Sequence, residues 1–136
     1  MSVKPDKLDA TRWSACVDLL YQPLETLDAI QRSAALIFHY DGDVRNGGHS
    51  SHFDTLNSTY DDELIQALRN MGAREQARIL AEARLFNREA SKAKEGEQES
   101  LWEVISDLDQ KFYRVRPTIE EILIKYFDAN KLHFPE

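Results

Sequence analysis

Apolar side chains recur at helical spacing along almost the whole of this chain, and nowhere do they alternate with polar ones for long enough to argue a strand. That periodicity restricts the fold to amphipathic helices packed on one another. Trp13, Cys16, Val17, Leu20 and Leu24 mark a first helix, capped by Asp9 and ended by Pro23. Leu27, Ile30, Ala34, Ile37 and Phe38 mark a second, which starts near Thr26 and stops at Asp41-Gly42-Asp43, with Gly42 as the breaker. After a polar, Gly-rich bend, a third helix opens on Tyr60-Asp61-Asp62-Glu63. It turns Leu64, Ile65, Leu68 and Met71 inward and stops at Gly72. A fourth runs from Ala73 to about Ala90, with Ala77, Leu80, Ala83 and either Phe86 or Leu85 as its core positions.

The fourth helix carries Arg74, Arg78, Arg84 and Arg88, but Glu75, Glu82 and Glu89 lie within three or four residues of them. An ion-paired outer face accounts for this pattern better than a phosphate-binding stripe. Residues 91–100 hold no apolar side chain larger than Ala and read as a mobile linker within the domain. Leu101, Trp102, Val104, Ile105 and Leu108 form a short helix leading to Phe112 and Tyr113. Thr118 and Glu121 have the spacing of a capping box before a last helix through Tyr126 and Phe127. The expected architecture is therefore all-α: one compact domain over residues 1–136, of about six helices with an Asn-Gly-Gly bend.

The longest apolar run, Ala34 to Phe38, is far short of the roughly 20 residues of a membrane span. The first residues have no apolar leader, and the single cysteine, Cys16, has no internal disulfide partner. These features lead to the expectation of a cytoplasmic protein that does not contact membranes. The formal net charge of −7 repels phosphate, so direct nucleic-acid binding is disfavoured. The excess is concentrated between Asp41 and Glu63, where six acidic side chains face one basic one. Such a stretch reads either as a solvated loop with an acid-rich helix start or as a surface that meets a basic partner.

Catalytic signatures are missing: there is no nucleophile elbow, no phosphate-cradling Gly-rich loop with Lys, and no His-Glu-x-x-His helix. Asp41-Gly42-Asp43 begins like a calcium loop, but Arg45 and His52 stand where ligands belong. His39, Asp41, Asp43, His49 and His52 form the one cluster with metal-binding or hydrolytic chemistry, yet their spacing matches no common zinc pattern. Imidazoles near a helix start more often serve as caps or surface polar groups. No catalytic residue, metal ligand or cofactor is expected. Asn46-Gly47-Gly48 reads as an architectural turn, with one of its glycines at positive φ folding the chain sharply between two helices, in preference to a bend whose exposed N–H groups bind an anion.

The run from Phe38 through Asp43, Asn46, Gly47 and Gly48, followed by Phe53 and Asn57, resembles a bacterial family known as domain of unknown function 4375. Its pattern continues in Ala67–Ala73, Ile79–Phe86, the Leu108-Asp-x-x-Phe-Tyr113 segment and a final helix near Tyr126. Where the family has Glu, Asn and an aromatic, this chain has Asp43, Arg45 and His49. The resemblance implies an all-helical protein that dimerises and lacks catalytic residues. For some members it also implies an acidic surface that imitates DNA phosphates toward a basic DNA-binding protein. On that reading Asp54, Asp61, Asp62 and Glu63 are the partner-binding surface, and Asp43, Asn46, Gly47 and Gly48 the family bend. Trp13, Tyr21, Trp102 and Tyr126 are expected to supply the apolar surface of a homodimer. The alternatives are an enzyme built on the His39–His52 cluster and a structural subunit of an assembly.

Overall fold

The computed structural model describes residues 10–135, in which six α-helices and no strand are found. Helix α1 spans Ala10–Leu20, α2 Ala29–Phe53, α3 Asp61–Asn70, α4 Arg74–Lys92, α5 Glu95–Arg114 and α6 Ile119–Ala129. Short 3-10 turns at Leu24–Thr26 and Leu56–Tyr60 join α1 to α2 and α2 to α3. The all-α expectation therefore holds, while the proposed Asp9 cap lies outside the described residues.

Helix α2 is central and touches all five other helices. It begins later than expected, with a reciprocal cap: the Asp28 carboxylate accepts from the Gln31 N–H at 2.8 Å, and the Gln31 side chain accepts from the Asp28 N–H at 3.0 Å. It also runs past the expected stop at Gly42. The stripe of Ile37 continues through Tyr40 and Val44, all three fully buried, and that burial outweighs the modest cost of one helical glycine. The helix breaks instead at Gly47 and Gly48, the only residues of α2 with non-helical backbone. Gly48 has φ 77° and ψ −177°, so the positive φ expected of the Asn-Gly-Gly triplet falls on its second glycine.

Helices α4 and α5 pack as an antiparallel pair joined by a turn of only two residues, Ala93 and Lys94. The stretch 91–100 is thus helical on both sides of that turn rather than a linker. Its Glu, Gln, Lys and Ala are good helix formers, and Glu95 and Glu97 suit the N-terminal dipole of α5. Thr118 caps α6 as expected, accepting from the Glu121 N–H at 3.2 Å. Leu20, Leu64, Leu68, Ile79, Leu80, Ile105, Ile119, Leu123 and Phe127 fill the core. The C-terminal tail folds back over it: Phe134 is buried against the rings of Tyr126 and Phe127, and Arg12 donates to the carbonyls of Phe127 and Pro135. Among the described residues no helix is long and apolar enough to cross a membrane.

Candidate functional site

The bend at Gly47-Gly48 places two imidazoles in the interior, three residues apart and both fully buried. His52 donates from both ring nitrogens, to Asp43 Oδ2 at 2.9 Å and to Asp61 Oδ1 at 2.7 Å. A ring that donates twice to carboxylates is an imidazolium. Burial by itself would lower the pKa of His52, but the hydrogen bonds to Asp61 and then Asp43, with the charges behind them, overcome this and hold it above the ordinary 6.5. Thr55 Oγ1 and Asn57 Nδ2 also donate to Asp43 Oδ2, at 3.3 and 3.2 Å, and fix that carboxylate in place.

His49 makes a second clamp. Its backbone N–H and Nδ1 both donate to Asp109 Oδ1, at 2.8 and 2.6 Å, and the Tyr40 hydroxyl donates to Nε2 at 2.6 Å. Burial, followed by the nearby charges of Asp61 and Asp109, raises the Tyr40 pKa well above its usual value, so the phenol keeps its proton. Tyr40 and Phe112 meet His49 and each other at 5.5–5.8 Å between ring centres, and Tyr113 donates to the Val44 carbonyl at 2.9 Å. Helix α2 is thereby joined to α3 through His52 and to α5 through His49, and among the described residues no buried side-chain nitrogen or oxygen lacks a partner.

The two histidines are therefore neither caps nor surface groups. His39 stands apart, donating to the Leu20 carbonyl at 2.9 Å. Among the described residues no group of three or more His, Cys, Asp or Glu side chains is placed to hold a metal ion. The partners that the spacing of the histidines does not reveal are Tyr40 and Asp109. Asp109 lies 60 residues from His49, and its one signal is its place in the Leu108-Asp-x-x-Phe-Tyr113 segment.

The acidic stretch is rearranged in the same way. Asp61 was expected on a partner-binding surface, but it is 2% exposed and committed to His52. Asp62 is exposed and pairs with Arg84 at 2.5 Å, and Glu63 pairs with Arg32 through two bonds of 2.6 and 2.9 Å. Those partners hold both carboxyls below their usual range, the hydrogen bond being the main cause in each. Asp41 pairs with Arg45, and Asn46 lies exposed just before the bend. Of the six acids between Asp41 and Glu63, only Asp54 is exposed without a cationic partner.

A regular row of uncompensated carboxylates lies on α5. Glu95, Glu99, Glu103 and Asp107 are exposed, repeat at every fourth residue, and have no ion-pair partner among the described residues. The helix dipole accounts for Glu95 but not for Glu103 or Asp107, which lie well past the first turn. Like charges four apart on a helix cost about 0.2–0.5 kcal/mol per pair, so this row weakens the fold that carries it. Trp102 stands 40% exposed beside it. Of the four aromatic residues expected to drive self-association, only Trp102 and Tyr21 remain exposed, because Trp13 packs on Phe127 and Tyr126 on Phe134.

A family model described as DMP19-like protein matches residues 25–130. No curated protein and no solved structure matches the chain. The matched span covers the bend, both histidine clamps and the acidic row of α5. The chain belongs to the DMP19-like family.

Proposed function

We propose that this DMP19-like protein acts without catalysis, as a DNA mimic that binds a basic DNA-binding protein and covers its DNA site, and that α5 carries the mimicking face. The observation that supports this most directly is the row Glu95, Glu99, Glu103 and Asp107, carried at a cost to the helix and unpaired among the described residues. At about 1.5 Å rise per residue the row places a carboxylate about every 6 Å, close to one for every two phosphates of a DNA strand, whose axial rise is about 3.4 Å. Lys and Arg on a partner would meet those carboxylates, and Trp102 offers a ring face for a cation at the centre of the row. The bond from His49 to Asp109 ties α5 to α2 and so fixes the orientation of the helix that carries the row.

The test compares two charge reversals that change the net charge equally. Glu99, Glu103 and Asp107 become Lys in one variant; Asp54, Asp62 and Glu63 become Lys in the other. Each is used to capture proteins from a bacterial lysate beside the wild-type chain, and duplex DNA is then added as competitor. The α5 variant is expected to lose at least about tenfold in capture, equivalent to 1.4 kcal/mol. The second variant should retain most of the binding, and DNA or raised salt should release the partner. Capture that survives the α5 reversal, or that DNA does not displace, refutes the reading.

A further inference from the structure

Between the second half of α3 and the first half of α4 lies a solvent-open groove of about 720 Å³. Gln66, Arg69 and Asn70 line it from α3, and Arg74 lines it from α4. None of these four side chains has a hydrogen-bond or ion-pair partner among the described residues. Farther along, Arg78 is held by Glu75 and Glu82, and Leu85 stands 55% exposed. Arg74 occupies the first turn of α4, where the helix dipole disfavours a cation, and Ala73 supplies no side-chain cap to the free N–H groups there. Four unpaired recognition groups thus surround one groove on a chain that otherwise ties most of its arginines to its own carboxylates.

We propose that this groove binds a short acidic segment of a partner polypeptide. Two guanidinium forks match two carboxylates, each able to pair through two parallel bonds. The amides of Gln66 and Asn70 can pair with peptide main-chain groups, and Leu85, farther along α4, offers contact to an apolar side chain beyond the acids. A phosphate polyanion fits less well, since it offers nothing to the exposed Leu85 at the end of the groove. A small molecule would be poorly enclosed, because the groove is open and no aromatic ring lines it. This site is separate from the acidic row on α5 and stands or falls without it.

The experiment titrates the whole chain against labelled decapeptides in which a Leu lies before or after a pair of Asp at varied spacing, read by fluorescence anisotropy. At least one peptide is expected to bind saturably and to weaken as salt rises. Arg69→Glu with Arg74→Glu should reduce its affinity by at least about tenfold, and a peptide with Lys in place of Asp should bind that variant better than the wild type. Arg69→Gln with Arg74→Gln, which leaves the exposed helix surfaces neutral, serves as the second variant should the first melt early. An array without a binding peptide overturns the proposal. So does affinity that both double variants retain, or duplex DNA that competes for the site as tightly as the best peptide.

Discussion

Asp61→Ala is expected to lower the stability of the fold by about 3 kcal/mol, because removing one partner of a buried ion pair strands the other charge. His52 is fully buried, and its imidazolium relies on Asp61 at Nε2 and Asp43 at Nδ1. The surviving Asp43 keeps the loss at the lower end of the usual range. Asp61→Asn retains an oxygen that accepts from Nε2, so it should cost only about 1.5 kcal/mol, in line with exchanging a charged hydrogen bond for a neutral one. Denaturant titration of the three proteins measures both values, and an Ala variant within experimental error of the parent would remove the imidazolium from the account.

The same clamp gives stability a pH dependence of defined sign. The native pKa of His52 is raised above the 6.5 of the unfolded chain, despite the opposing effect of burial, by hydrogen bonds to Asp61 and Asp43. The stabilisation is therefore complete below about pH 6.5 and is lost as pH rises through the higher native value. Melting temperature should fall from pH 6 toward pH 9, and Asp61→Ala should flatten that fall.

Gly48→Ala should be comparably damaging, at about 3 kcal/mol. Part of this is backbone: φ 77° with ψ −177° is a region open essentially to glycine alone, costing about 1–3 kcal/mol for any other residue. The remainder comes from Asp109, whose carboxylate occupies the space a Cβ would take and would have to leave His49. Gly72 separates the two contributions. It has φ 85° but open space around it, so Gly72→Ala should show only the backbone cost, about 1 kcal/mol. Equal losses at the two positions, measured by thermal melts, would mean that the contact with Asp109 contributes nothing.

Periodicity marks most of each helix, because each buries one face and the apolar stripe records it, but not the first turns of α5, where residues 95–100 carry no apolar side chain. The helix passes Gly42 for the same reason in reverse: a local breaker rule has no knowledge of the tertiary burial of Tyr40 and Val44. The Asn-Gly-Gly bend was legible, since few residues other than glycine can occupy the backbone at Gly48. Charge was the least legible quantity. Asp62 and Glu63 sit in an acid-rich stretch, but the arginines that neutralise them, Arg84 and Arg32, come from other helices, and a count along the chain does not include them. His49 and His52 drew notice as possible ligands, whereas their partners make them internal fasteners. Asp109 was visible only through the family segment that contains it.

The region shared with the family runs from residue 25 to 130, so α1 and the final tail both lie outside it, at opposite ends of the chain. Yet they hold each other. Arg12 donates to the Pro135 carbonyl at 3.2 Å, Cys16 Sγ donates to the same oxygen at 3.6 Å, and Trp13 packs on Phe127 beside the buried Phe134. Each end would lose part of its anchor without the other, so they form one unit that enters the core through Cys16, Leu20 and Phe134. Removing the tail after Ala129 should therefore loosen α1 as well, and the chain should lose the packing of both ends together.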